Sequence, residues 1–354
     1  MEVLSRRRLT AALAARQLLI ERERLRPAEA IRRLTPLQAQ HPTAPYYGLA
    51  ARLDGFTRAD LEADIGARDV VKTTISRLTL HLVAGADYPA YAQLTRQTRM
   101  RKWRKDYAHL DEARVTRELG DWLRTPRSNV EIRDRVRRYE GVPDETYAPV
   151  FFARTLLPLV QLPPGGHWDD RGRASFVMDA RALPDPGDAA LLVLKRYLGA
   201  FGPASRRDAA AWAGVAQRDF AEAWRRLETV SYRDERGTEL LDVPGRPLPP
   251  ASTRLPVRLL GRWEQALLAY ADRDRIIPPE LRPLKLTLSG DQTVTVDGRV
   301  AASWLLERGS AAVRVTVTPH VDLTRAARRA IRSEAERTAR FCEPDATSVS
   351  ITGV

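Results

Sequence analysis

One order of elements recurs three times along this 354-residue chain: helical periodicity gives way to a pair of short β-branched runs. In the first copy Ser5 to Glu23, Pro27 to Leu34, Tyr46 to Leu53 and Thr57 to Gly66 read as helices. Pro27 suits a first helical turn, and Thr57 with Asp60 three residues on suits a cap. Val70 to Ile75 and Leu78 to Val83 then read as two strands joined by Ser76-Arg77. The second copy follows a basic stretch, Arg96 to Lys105, with helices at Asp111 to Leu123, Asn129 to Arg138 and Tyr147 to Leu157. Its hairpin is Val160 to Leu162 and Ala174 to Val177, around a Pro163-Pro164-Gly165-Gly166 turn. The third has helices at Ala189 to Gly199, Ser205 to Trp212 and Gln217 to Leu227, then strands at Thr229 to Tyr232 and Glu239 to Asp242. Helices closed by a hairpin make the winged-helix unit, which serves mostly for nucleic acid and sometimes for protein docking.

Beyond the proline-rich Pro244 to Pro256, strands are expected at Leu284 to Leu288, Thr293 to Val296, Val300 to Leu306 and Val313 to Val317. Asp297-Gly298 between two of them is a strong hairpin signal. Leu323 to Cys342 reads as an amphipathic helix, with Leu323, Ala327, Ala330, Ile331, Thr338 and Phe341 on its apolar side. The expected fold is therefore mainly α with β, an α+β chain. It divides into three tandem winged helices, 1–105, 106–186 and 187–245, and a C-terminal β-rich extension with a helix, 246–354.

Charge narrows the partner. The chain carries 58 Lys+Arg against 45 Asp+Glu, a net +13, which favours polyanions and above all nucleic acid. No run of about 18 apolar residues exists and no secretory signal is read at the amino terminus, so a cytoplasmic protein without a membrane partner is expected. Cys342 is the single cysteine, which excludes an intrachain disulfide and a multi-cysteine zinc site.

Most catalytic patterns are missing. His41, His81, His109, His167 and His320 have no paired metal-ligand spacing. Asp272-Arg273-Asp274-Arg275 could hold magnesium, but the interleaved arginines favour a salt-bridged turn. Neither nucleotide-cradling glycine motif occurs, nor a G-x-S-x-G elbow. What remains is Leu34 to Pro45, where Pro36, Pro42 and Pro45 bias their predecessors toward extended backbone. In an extended segment Gln38 and Gln40 point to one side. Two neutral amides can orient a water. From spacing alone the plainer alternative, two glutamines satisfying a turn, is favoured. His41 beside them reads as a phosphate donor or as a loop-satisfying histidine.

The first hundred residues, through Leu37-Gln38-Ala39-Gln40-His41-Pro42, Arg52-Leu53-Asp54-Gly55-Phe56 and Arg77-Leu78-Thr79-Leu80-His81-Leu82-Val83, resemble the winged-helix DNA glycosylases of the AlkZ and YcaQ type. The likeness continues through Gly202-Pro203-Ala204, Asp272 to Arg275 and Val296 to Val300, covering nearly the whole chain. The resemblance implies that Gln38 and Gln40 match the catalytic Gln-x-Gln of the AlkZ-like branch. It implies a concave DNA-binding channel and a monofunctional, metal-independent glycosylase. The expected partner is double-stranded DNA bearing alkylated purines, and the expected activity is release of bulky N7-alkylguanine or unhooking of interstrand crosslinks. No cofactor is expected, and the chain is expected to act as a monomer. Self-resistance to a genotoxic natural product is the setting this suggests; a non-catalytic DNA-binding regulator is the alternative. Lys72 and Arg77 on the first wing are expected phosphate contacts, merely solvated side chains being the alternative. Arg299, at the tip of the Asp297-Gly298 hairpin, is expected to reach a groove, a plain surface hairpin being the alternative. Gly261-Arg262-Trp263-Glu264-Gln265 stands where the family is expected to have a segment more like Pro-x-Phe-Asp, so packing or substrate choice is expected to differ there.

Overall fold

The computed structural model describes residues 1–142, 148–170, 175–309 and 312–354. Tyr147 and Ala174, expected at the starts of a helix and a strand, lie outside the described residues. A short strand β1 (Val3–Leu4) leads to α1 (Arg6–Arg16), α2 (Pro27–Leu34), β2 (Leu37–Gln38), α3 (Ala44–Ala50), α4 (Arg58–Gly66) and the hairpin β3 (Val70–Thr74) and β4 (Leu80–Ala84). Next come α5 (Tyr88–Asp106), α6 (Glu112–Trp122), β5 (Arg127–Ser128), α7 (Asn129–Val136), α8 (Ala148–Leu156) and the hairpin β6 (Leu159–Gln161) and β7 (Ser175–Met178). A third group, α9 (Pro186–Phe201), α10 (Arg206–Ala213) and α11 (Ala221–Arg226), closes with β8 (Val230–Asp234) and β9 (Glu239–Asp242). The remainder is β10 (Arg258–Leu260), α12 (Gln265–Leu268), α13 (Leu286–Ser289), β11 (Thr293–Val296), β12 (Arg299–Arg308), β13 (Ala312–Pro319), α14 (Arg325–Cys342) and β14 (Ser348–Thr352). The chain is thus mixed helix and sheet, as expected.

One helix in each group begins with the same chemistry. Thr57 and Asp60, Ser128 and Glu131, and Ser205 and Asp208 form reciprocal capping boxes at the starts of α4, α7 and α10. Each satisfies two backbone donors that a helix start leaves open. Helix α9 is the central strut, with Ala189, Val193, Leu194, Tyr197, Leu198 and Phe201 all completely buried. It packs against α1, α2, α5 and α11.

The first two hairpins do not stand apart. Strand β3 pairs with β6, so both join one six-stranded sheet in the order β2-β4-β3-β6-β7-β5. The third hairpin pairs with β1, which returns the amino terminus to the third group. A buried ion pair fastens that union: Arg16 donates to both carboxylate oxygens of Asp242, at 2.8 and 2.6 Å.

Several expected elements need correction. Helix α1 stops at Arg16 rather than Glu23: Leu18 is left-handed (φ 54°), Leu19 N–H donates to Ala14 O and Leu18 N–H to Ala15 O, which is a Schellman ending. The basic stretch from Arg96 to Lys105 is the latter half of α5, where Arg99 and Trp103 are buried. Leu284 to Leu288 is helical rather than extended, because Leu286 alone is buried while Leu284 and Leu288 face solvent. Ala330 lies on the exposed side of α14, whose buried side is Ile331, Glu334, Ala335, Ala339 and Cys342. Strand β14, not anticipated, adds to β13 in parallel. Among the described residues no helix is long and apolar enough to cross a membrane.

Candidate functional site

The proline-rich stretch forms as a brief strand between two helices. At the end of α2, Thr35 takes φ 74° and ψ 174°. The extended ψ is what a residue before proline prefers, but the positive φ is costly for a side chain with a Cβ, on the order of 1–3 kcal/mol. Thr35 is nonetheless buried, and it turns the chain into β2. There Leu37 and Gln38 pair antiparallel with Leu82 and His81, and Ala39 N–H donates to Leu80 O at 2.7 Å. The ladder then ends, since Pro42 has no N–H and α3 starts at Ala44.

Both glutamines address the same turn of the neighbouring hairpin. Arg77 Nη2 donates to Gln38 Oε1, and Leu80 N–H donates to Gln40 Oε1, each at 3.4 Å. Gln38 is buried at 8% exposure and Gln40 is exposed, so the pair runs from the protein edge outward. Neither amide nitrogen has a protein partner among the described residues. Directly across from Gln38, on the same face of the sheet, lies His81. Its Nδ1 lies 3.0 Å from Thr79 O, which requires the proton on Nδ1, and leaves Nε2 a buried acceptor without a partner among the described residues. Burial, helped by the Arg77 charge, pushes the His81 pKa down to about 3, so the ring is neutral at physiological pH.

Arg77 links this corner to the third group. Its guanidinium donates to the Trp212 carbonyl as well as to Gln38. Arg77 and Leu78 both have positive φ, 54° and 58°, and the tight turn presses on Gly214 at the end of α10. A Cβ at Gly214 would sit 2.6 Å from Arg77 N. Burial holds the Arg77 pKa down to about 10, with Arg273 adding a like charge.

Two expected contacts are placed differently. Lys72 is not on the solvent face: its Nζ pairs with Asp170 Oδ2 at 2.7 Å, with 6% and 5% of the side chains exposed. It sits one register position from Thr73, the partner of His81, and so on the opposite face of the sheet. There it ties down the loop after β6, whose Gly166 N–H also donates to Asp170. The Asp297-Gly298 turn forms as expected, with both φ angles positive (50° and 77°). It does not project, however, because Arg7 donates to Asp297 O at 3.0 Å and Oδ1 at 2.7 Å, and Gly298 is pressed on Thr10 and Leu255. Arg299, half-buried beside it, donates to Asp274 O at 3.5 Å rather than standing at a free tip.

The Asp272 to Arg275 run is a salt-bridged turn, as the arginines suggested. Arg236 holds Asp272 at 2.8 Å and Asp274 at 2.7 Å, and Arg282 also pairs with Asp274. His41 Nδ1 is 3.0 Å from Thr43 Oγ1, a loop-satisfying contact, and burial lowers its pKa with help from Arg262. In the segment flagged as divergent, Glu264 forms a buried pair with Arg52 at 2.7 Å, and Gly261 packs on Ala44 and Tyr47. It therefore braces α3 just after the glutamines. His81 and the Trp212 carbonyl were not legible as site components, because only strand register and tertiary packing bring them to Gln38 and Arg77.

The fold belongs to a known lineage. The family described as DNA glycosylase AlkZ-like matches residues 31–341, most of the chain and all of the corner described above. The chain belongs to the AlkZ-like DNA glycosylase family. A curated relative from Streptomyces sahachiroi, the "Interstrand DNA cross-link repair glycosylase", is 25% identical over 92% of this chain and 93% of its own length. The solved structure of "Streptomyces sahachiroi DNA glycosylase AlkZ" superposes with a TM-score of 0.81 at 21% identity, covering 99% of this chain and 100% of that one. At that identity the superposition speaks for the fold. As an AlkZ-like protein the chain is a DNA-repair glycosylase, and DNA is its substrate class.

Proposed function

We propose that this glycosylase hydrolyses the N-glycosidic bond of bulky N7-alkylguanine adducts or interstrand crosslinks, with Gln38 and Gln40 placing the attacking water. The observation carrying this reading is that both amides are anchored to one hairpin turn by a single long bond to each oxygen, 3.4 Å, which leaves each oxygen a second lone pair to accept from the attacking water. An N7-alkylated purine is cationic and departs as a neutral base, so the leaving group needs little acid catalysis. Water adds to C1′, the C1′–N9 bond breaks, and the water proton passes to solvent. The protein's task is then orientation and dipole stabilisation of an oxocarbenium-like sugar, which uncharged amides can perform. Lys72, the lysine nearest in sequence, is locked into an ion pair on the far face, which supports a monofunctional course ending at an abasic site. The chemistry asks for no metal or cofactor.

The three helix-and-hairpin groups are read as tandem winged helices lining a concave channel, entered by a monomer's worth of duplex. Arg77, the remaining candidate on the first wing, is read as a phosphate contact. The relative named for cross-link repair favours a bulky or crosslinked substrate, and self-resistance to a genotoxic natural product would supply one. The test is to incubate N7-alkylated duplex with the protein and heat it in mild alkali to expose abasic sites. Strand breaks should appear with the wild type and fall at least about 100-fold in Gln38→Ala or Gln40→Ala with duplex binding retained, the scale of losing a transition-state dipole. Binding without base release by the wild type would instead identify a DNA-binding regulator.

A further inference from the structure

The chain fixes one leucine rigidly in solvent. The 3₁₀ turn Pro279–Leu284 runs through Lys285 into α13, and of the leucines at 284, 286 and 288 only Leu286 is buried. Leu288 is 77% exposed, the most exposed large apolar side chain among the described residues, and Leu284 four residues before it is 45% exposed. A loose surface loop would account for that, but this turn is held on every side. Lys285 at its start and Trp263 packed against its end both take left-handed backbone, φ 50° and 48°, which is costly for residues with a Cβ. Gly290 closes the turn at φ 72°, where a Cβ would meet the Trp263 ring at 2.5 Å. Arg262 donates to Gly290 O at 3.1 Å, and Arg273 donates to the Thr287 hydroxyl.

Contacts on two sides lead from this mount to the glutamine corner. Arg262 and Trp263 follow Gly261, where a Cβ would sit 2.8 Å from the carbonyl of Ala44, four residues after Gln40. On the other side Leu288 and Arg207 line one 520 Å³ hollow, and Arg207 lies in the same helix α10 whose Trp212 carbonyl holds Arg77 against Gln38. From Arg207 to Trp212 the helix rises about 8 Å, a little over two steps of a strand at about 3.4 Å each. The hollow's two carboxylates, Asp272 and Asp274, are both held by Arg236 and Arg282. Arg207, Arg273 and Lys285 therefore give the rim around the leucine a positive sign.

We propose that Leu288 is a wedge that enters the base stack from the minor groove, within about three base pairs of the nucleotide whose sugar faces Gln38. This rests on the glycosylase reading of the glutamine pair. The N7 edge of guanine lies in the major groove, so a bulky N7 adduct fills that side and leaves the minor groove open to a probe. An apolar wedge there unstacks a step and kinks the duplex toward the major groove. The cations on the rim suit the flanking phosphates, while the leucine has no use for them. Unstacking by a fixed side chain loosens the damaged step without drawing a bulky base into a tight pocket. Leu288 is then a positioning residue, and the segment from Gly261 to Gln265 acts as its mount.

The test uses duplexes carrying one 2′-fluoro-N7-methylguanine, whose fluorine slows loss of the base, with 2-aminopurine placed in turn at each neighbouring position. That base brightens when it is unstacked. Saturating wild-type protein should brighten one position about threefold; Leu288→Ala should abolish the rise and Leu288→Phe should restore it. Affinity of Leu288→Ala for the damaged duplex should fall about tenfold, the scale of burying a leucine rather than an alanine, with the slope of log K against log salt unchanged. Because the side chain is exposed, Leu288→Ala should keep the wild-type melting temperature, and the wild-type scan requires no variant to fold. No brightening at any position with the wild type, or equal brightening with Leu288→Ala, would overturn the wedge. So would self-association that needs Leu288 alongside a flat scan, since the leucine would then serve a protein contact. If the wild type brightens the duplex as stated yet releases no base from ordinary N7-methylguanine, the wedge stands and the glycosylase reading of the glutamine corner fails; base release with a flat scan gives the reverse.

Discussion

His81 and Lys72 show how far a residue's role depends on what lies across the sheet from it. His81 is buried with a pKa near 3, against an ordinary value of 6.5. Below pH 6.5 the unfolded chain therefore takes up a proton that the folded protein refuses. The stabilisation is intact above pH 6.5 and drains away as the pH falls toward 3, with a slope of up to about 1.4 kcal/mol per pH unit. His81→Asn, whose amide can still donate to Thr79 O, should flatten that dependence; urea midpoints between pH 6.5 and 4 for the two proteins will show whether it does. For Lys72, removal of the amine in Lys72→Met takes the cation from a buried Asp170 carboxylate that keeps the Gly166 N–H, and should cost up to about 3 kcal/mol in denaturant unfolding. Its salt slope for duplex binding should match the wild type, whereas a phosphate-contacting lysine would lower it. The extended backbone at Gln38 was legible from Pro36 and Pro42, whereas Ala44, expected to be extended before Pro45, starts α3 because that proline suits a first helical turn. The place of Lys72 was not legible, because Val-Val-Lys-Thr reads as ordinary strand alternation, and Asp170 stands 98 residues away.

Elements with local signals, the Thr57–Asp60 cap and the Asp297-Gly298 turn among them, could be read directly, since each is settled within four residues. Those that failed were decided elsewhere. Leu284, Leu286 and Leu288 alternate like a strand, yet the prolines at 278, 279 and 283 and a left-handed Lys285 (φ 50°) coil the backbone. The fusion of two hairpins into one sheet leaves no local trace at all. Docking of the β3–β4 turn on α10 is of the same kind, and it is testable through Gly214. This glycine has φ 71°, and the nearest atoms to an added Cβ are Arg77 backbone, which cannot swing aside. Gly214→Ala should cost roughly 1–2 kcal/mol for the left-handed backbone alone, and more for the clash. Because Arg77 moves with the turn, base release should fall by more than the loss of folded protein explains. Single-turnover rates normalised to folded fraction, measured well below the melting temperature, separate the two effects. Equal rates per folded molecule would mean that the turn's seat on α10 is structural only.

At the scale of the whole molecule, charge and architecture make one joint statement. The chain carries net +13, yet many of its arginines are consumed internally, by Asp242, Glu264, Asp87, Asp272 and Asp274 among others. The 58 Lys+Arg therefore overstate what DNA can feel; the relevant number is how many cations meet phosphates. Each neutralised phosphate releases counterions and adds about 0.9 to the slope of log K against log salt on duplex. If the first wing and the neighbouring groups contribute about six contacts in all, affinity should fall about a thousandfold between 50 and 200 mM salt. Undamaged duplex should give nearly the same slope as alkylated duplex, because backbone contacts carry no information about the base. Damage should instead appear as a salt-independent offset in affinity. Fluorescence anisotropy with matched duplexes across that salt range measures both quantities together. A slope corresponding to one or two phosphates would mean that the basic surface is spent inside the fold, and that no extended channel holds the duplex. Matching slopes with a constant offset would place recognition of the lesion at the glutamine corner and affinity in the rest of the molecule.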